Sequence, residues 1–139
     1  VFNLANFFRA QLYATMATLK IGMDILGAEG VRIHRLTGHG GLFKTPVVGQ
    51  SYMAAACGAP VTCMKTAGEG GPYGMALLAA FLLLKRDGES LEDFLEKRVF
   101  AGVSGSTIQP DPAVVQGFDA YIRRYQALLA VERAAVENL

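Results

Sequence analysis

Thr37-Gly38-His39-Gly40-Gly41-Leu42-Phe43-Lys44-Thr45-Pro46 decides how this chain is read. A strand-like run, Val31-Arg32-Ile33-His34-Arg35-Leu36, precedes it, and a helix-like run from Val47 to Cys57 follows. A glycine cluster between a strand and a helix lets backbone N–H groups approach a ligand with no Cβ in the way. It also aims a helix N-terminus at that ligand. Phosphates and nucleotides exploit such sites. The same glycines also serve a tight turn that needs φ > 0. On the cluster alone the turn is the simpler reading.

Working outward, Phe2 to Gly27 predicts a long helix, with Phe7, Phe8, Leu12, Met16, Leu19, Met23 and Leu26 at helical spacing. Val31 to Leu36 predicts a strand. Pro46 suits the first turn of the next helix, where its missing N–H costs nothing, and Gly58 stops that helix. Pro60 to Met64 predicts a second strand. A second glycine segment, Thr66 to Gly74, leads into the apolar run Met75 to Leu84, expected to be a core helix buried nearly all round. Ser90-Leu91-Glu92-Asp93 has the Ser-x-x-acid start of a short helix reaching about Arg98. Gly102 to Gln109 is loop or edge strand. Asp111-Pro112 opens a last helix with the apolar stripe Val115, Phe118, Ile122, Tyr125 and Leu129. Strands alternating with helices indicate an α/β fold, helices packed on a small sheet. Two clear strands are few for a self-sufficient sheet.

Composition agrees that something is missing. Of 139 residues 52% are hydrophobic and only 18% charged, where charged residues usually make up about a quarter. With 13 Lys+Arg against 12 Asp+Glu there is no basic stripe, so no nucleic-acid partner is expected. The run Met75 to Leu84 is shorter than the ~20 residues a membrane span needs, so no membrane is expected. The opening Val1-Phe2-Asn3-Leu4 lacks a basic leader. The chain is expected to be a piece of something larger. Cys57 and Cys63 have no zinc spacing and make no disulfide framework; they are expected to be small apolar residues in a reducing, cytoplasmic setting.

Three segments together resemble the C-terminal half of the FGGY family of carbohydrate kinases. The strand, Thr37-Gly38-His39-Gly40-Gly41, Lys44-Thr45-Pro46 and Gln50 resemble the family's adenosine motif. Gly58-Ala59-Pro60-Val61 is similar to its Gly-x-Pro-Val strand entry. Glu69 to Ala80 resembles its Glu-Ala-x-Ala-x-Gly-Ala-Ala stretch. The helix carrying Tyr121, Tyr125 and Leu129 resembles the family's Tyr-rich last helix, so the resemblance extends over nearly the whole chain. Lys44-Thr45-Pro46 is most similar to pentulose kinases of the xylulokinase and ribulokinase type. His39 interrupts the glycines, and Gly41 to Pro46 is longer than in many members.

The resemblance implies part of an actin-like, ribonuclease-H-like ATPase domain, with residues 1–139 forming the C-terminal part of the second such domain of a sugar kinase. It implies ATP with Mg²⁺ as cofactors, Gly38, Gly40, Gly41, Leu42 and Thr45 as nucleotide contacts, and no catalytic or metal-binding residue in this chain. The sugar would be held mainly by an N-terminal half that is absent. The alternative is a non-catalytic nucleotide-binding or assembly domain of the same fold. Lys44 either meets phosphate or is solvated. Thr45 donates to the nucleotide or caps the next helix. Glu69 faces the cleft or solvent. Tyr73 packs near adenine or covers a helix start. His34 is structural, and His39 has no neighbours at metal-ligand spacing. A piece cut from its partner layer is expected to self-associate.

Overall fold

A computed structural model describes residues 2–45 and 47–139. Helix α1 (Leu4–Ala28) is followed by strand β1 (Leu36–Thr37), a 3₁₀ turn (Gly41–Lys44), α2 (Val48–Cys57) and β2 (Val61–Met64). A second 3₁₀ turn (Ala67–Glu69) enters α3 (Gly70–Leu84). α4 (Leu91–Phe94) continues as a π-helical turn (Leu95–Val99), and β3 (Gly105–Ile108) and α5 (Pro112–Glu137) close the chain. The architecture is α/β, with a sheet of order β1-β2-β3. The chain divides into two compact units.

The first unit comprises Val1–Leu36, Ser51–Val61 and Ile108–Leu139. Its long helices are set by caps at their starts: Asn3 Oδ1 accepts from Asn6 N at 2.8 Å, and Asp111 Oδ1 accepts from Ala113 N at 2.7 Å, with Pro112 in the first turn. The core is aromatic. The Tyr13 ring packs on Phe118 and Tyr121 of α5, both at 5.3 Å, and edge-on to Tyr52 of α2 at 5.4 Å. Met16, Ala17, Phe118 and Ile122 are buried around it, with Ala54, Ala55 and Ala56 of α2. The α5 stripe expected from the sequence therefore points inward through Phe118 and Ile122. The α1 stripe does so only through Met16: Phe7, Phe8, Leu19 and Leu26 are exposed, and Tyr13 takes the central place. The buried face of α1 follows Tyr13, Met16 and Ala17, because α5 meets the helix there.

The second unit comprises Thr37–Gln50 and Thr62–Thr107. Gly38 N–H donates to Thr62 O at 2.9 Å, and in the first unit Leu36 N–H donates to Pro60 O at 2.9 Å. Both partners advance together along the sequence, so β1 and β2 are parallel. β1 is shorter than expected. Residues 31–35 lie outside the ladder, because β2 begins only at Val61 and offers them no partner. β3 lies beside β2, where Thr107 and Thr62 hydroxyls meet at 2.8 Å; it is the edge strand anticipated between Gly102 and Gln109.

Helix α3 corrects the expectation of a core helix, since none of its residues is buried. Phe81 packs on Phe94 at 5.4 Å, yet Met75, Leu78, Leu82, Leu83 and Leu84 are exposed. Within this unit only one side of the helix has a partner. By length and composition alone, Ala67–Leu84 is apolar enough to cross a membrane and is 6% buried. Its α-helical part is 15 residues, about 22 Å at ~1.5 Å per residue, against ~30 Å of hydrocarbon. Ser90 caps α4 as expected, its Oγ accepting from Asp93 N at 3.1 Å, and the helical path runs on to Val99.

Candidate functional site

The site is built from the two glycine segments of the second unit. After β1 the chain turns at Gly40, whose φ of 100° lies in the region that only glycine adopts freely. The 3₁₀ turn Gly41–Lys44 then leads toward α2. Gly40 N–H donates to Ala67 O at 2.6 Å, and Phe43 N–H donates back to Gly40 O at 3.0 Å. The first bond ties the first segment to the second.

Missing Cβ atoms show what each glycine does. A Cβ on Gly38 would stand 2.3 Å from Phe43 Cζ, so the Phe43 ring occupies the space a side chain would fill. A Cβ on Gly70 would stand 2.5 Å from His39 Cβ, and one on Gly68 would stand 3.1 Å from Lys44 Cγ. Gly68 and Gly70 are small because His39 and the Lys44 stem lie directly on them. Gly41 is different. A Cβ there meets nothing within 4 Å, and its φ is not in the left-handed region. Gly41 therefore answers to no packing demand inside the described residues.

The expected site residues separate accordingly. Gly38, Gly40, Gly41, Leu42 and Thr45 lie along one continuous loop, but Gly38 and Gly40 spend their N–H groups on Thr62 and Ala67. They shape the loop and offer no free donor, contrary to the expectation of bare N–H groups along the whole cluster. Gly41 and Leu42 open the 3₁₀ turn, so their N–H groups have no partner within it. Leu42 also packs inward: a Cβ on Gly49 of α2 would lie 2.7 Å from Leu42 O and 3.0 Å from Leu42 Cγ. Thr45 is exposed and extended, with φ −92° and ψ 106°. It stands ahead of Val47, the residue flanking α2, so it does not occupy the capping position. The expectation for Pro46 lies outside the described residues.

Lys44 is neither free nor simply solvated, since its Nζ pairs with Glu69 Oε1 across the two segments at 2.5 Å. Both groups are exposed, so the pair contributes little to stability and leaves the lysine available for exchange. Gln50 of the motif is structural. It is buried; its Nε2 donates to Ser106 O at 2.9 Å and its Oε1 accepts from Ser106 Oγ at 3.1 Å, which anchors the start of α2 to β3. Val47 has φ 70°, a costly conformation for a β-branched residue. Nothing in the sequence announced it. The pairing of the two glycine segments was not anticipated either, although glycines on both sides of Glu69 were its signal.

Beside His39 opens a cleft of about 500 Å³ lined by Met64, Gly70, Tyr73, Leu77, Leu95 and Phe100, among others. Its walls are almost wholly apolar. Burial pushes the Cys63 thiol up, with the Gly38 N–H opposing. Cys57 is raised by burial as well, the nearby Lys20 opposing.

Residues 2–83, which contain both glycine segments and most of α3, match the sequence model of the FGGY family of carbohydrate kinases, C-terminal domain. The chain belongs to the FGGY family of carbohydrate kinases. Neither curated proteins nor solved structures give a match. The FGGY C-terminal domain is of the actin-like ATPase type, and the α/β architecture with its small three-stranded sheet agrees with that. FGGY kinases use ATP and typically Mg²⁺, and membership favours a kinase over a non-catalytic assembly domain. The FGGY match ends before α4, so the Tyr-rich helix α5 lies beyond it.

Proposed function

We propose that this chain is the C-terminal, ATP-binding portion of a cytoplasmic kinase that phosphorylates a pentulose such as xylulose. The observation that carries the reading is Gly41: it opens a helical turn, presents N–H groups with no partner inside that turn, and has empty space where a Cβ would stand. An anion or a ribose approaching the backbone fits such a position. Gly41 and Leu42 N–H groups are the donors in this reading. Gly38 and Gly40 hold the loop in shape, and the exposed Thr45 hydroxyl adds a contact. Lys44 leaves Glu69 to meet phosphate charge. The apolar cleft with Tyr73 suits a purine, being of the size that small-molecule sites have.

Mg²⁺ bound with the nucleotide neutralises charge on the β- and γ-phosphates. The chain's own contribution is positioning, which is the larger part of phosphoryl-transfer catalysis. The general base and the sugar pocket belong, in this reading, to the other half of the kinase. The pentulose assignment rests on the resemblance of Lys44-Thr45-Pro46 to pentulose kinases.

The test is Gly41→Val in the full-length kinase. The Michaelis constant for ATP is expected to rise about tenfold or more, while that for the sugar and the thermal midpoint hold. Tenfold corresponds to about 1.4 kcal/mol, about what one ordinary hydrogen bond contributes at the upper end. An unchanged constant for ATP in a folded variant reduces Gly41 to a turn residue. A panel of pentuloses and hexoses assayed on the wild type decides the sugar.

A further inference from the structure

Between α1 and α5, in the first unit, lies a groove of about 350 Å³ lined by Asn6, Arg9, Tyr13, Gly117, Tyr121 and Arg124, with two alanines. No acidic residue lines it. Neither Arg9 nor Arg124 forms an ion pair among the described residues. Arg9 instead hydrogen-bonds the Tyr52 hydroxyl, a neutral partner that leaves its charge uncompensated. Tyr13 is the second, independent sign. The residue is 6% exposed, its ring is fixed by three aromatic neighbours, and its hydroxyl has no hydrogen-bond partner among the described residues. Gly117 keeps the space over that hydroxyl clear: a Cβ there would lie 3.2 Å from Tyr13 Oη. The hydroxyl opens onto the groove that Arg9 and Arg124 also line, so it is placed beside two guanidiniums for an acceptor that arrives from outside.

We propose that the α1–α5 groove is a binding site for a small phosphate monoester, with Arg9 and Arg124 clamping the phosphate and the Tyr13 hydroxyl donating to it. The guanidinium fork matches phosphate oxygens bidentately. Tyr121, stacked on Tyr125 at 6.2 Å, offers an aromatic wall to the organic part of the ester, and Asn6 adds a polar edge. The site shares no residue with the glycine segments and does not depend on the nucleotide reading.

The experiment titrates the full-length kinase calorimetrically with phenyl phosphate and, separately, with inorganic phosphate. A saturating non-hydrolysable ATP analogue keeps the nucleotide site filled. Saturable binding at millimolar concentrations is expected, weakened about tenfold or more by Arg124→Gln or Arg9→Gln. Arg124→Lys should recover only part, since a point charge lacks the fork. Tyr13→Phe keeps the ring packing and should weaken binding several-fold with the thermal midpoint unchanged. Tighter binding of phenyl phosphate assigns the site to an ester; equal binding assigns the same phosphate chemistry to the free ion. Absence of saturable binding, or binding indifferent to all four substitutions, overturns the proposal. So does binding that disappears when the ATP analogue is added, because the anion then belongs to the nucleotide site.

Discussion

Gly70→Ala is the substitution that most directly tests how the two glycine segments are held. The added Cβ would lie 2.5 Å from His39 Cβ and 3.0 Å from both Cγ and Nδ1. Carbon atoms rest at about 3.5–4.0 Å, so the segments must part by roughly 1 Å. His39 cannot swing aside, because the atom in conflict is its own Cβ, fixed by the backbone. Separation also pulls on the Gly40 N–H to Ala67 O bond, now 2.6 Å. Overpacking of this kind costs about 1–3 kcal/mol. Alanine in place of glycine in a helix returns at most about 1 kcal/mol, and less at the first residue of α3. The net expectation is destabilisation by roughly 1–2 kcal/mol. Urea unfolding of the purified chain should show the midpoint falling by about half to one molar with the slope unchanged. His39→Gly removes the opposing Cβ and should restore most of the loss, giving a coupling of about 1 kcal/mol in a double-mutant cycle; His39→Ala keeps that Cβ and should not. A Gly70→Ala variant as stable as the wild type, or simple additivity with His39→Gly, would refute the contact.

The purified 139-residue chain is expected to phosphorylate no sugar; ATP-dependent turnover of a pentulose above a no-protein control would overturn its assignment as a nucleotide-binding portion. The bared side of α3, with Leu82 and Leu83 73% and 81% exposed, is expected to drive self-association of the isolated chain. Light scattering across a dilution series should show it, and Leu82→Glu with Leu83→Lys should abolish it; a monomer mass at every concentration would mean that α3 needs no cover. Asp111→Ala removes the cap accepting from Ala113 N and should cost about 1 kcal/mol, seen as a lower unfolding midpoint; an unchanged midpoint would show that Pro112 suffices to start α5.

Much of this arrangement was legible where local chemistry decides. The caps at Ser90 and Asp111, the stop at Gly58, the order of helices and strands and the edge strand before Gln109 all follow from short-range rules. Elements whose fate depends on distant partners were misjudged. The apolar run after Met75 reads as core by composition, but burial needs a neighbour on every side, and the described residues cover one. Val31 to Leu36 has strand residues throughout, yet only Leu36 and Thr37 find a ladder. On α1, Phe7 and Phe8 are more hydrophobic than Tyr13, but Tyr13 sits where α5 crosses. In the candidate site the glycines were visible, and their division of labour was not. Which glycine is small for the protein and which for a ligand depends on what stands opposite, and that appears only when residues 38–45 and 66–74 are brought together.

The two native thiols have a practical consequence. Cys63 is buried, Cys57 half-buried, and both are held above the ordinary thiol range by desolvation. Since the thiolate is the reacting species, both should be sluggish toward maleimides at neutral pH. A cysteine installed at Gly41, where a side chain meets open space, would react first. The two native thiols of this chain thus stand aside in a labelling experiment, and slowing of the maleimide reaction at position 41 by saturating ATP would report nucleotide at the turn.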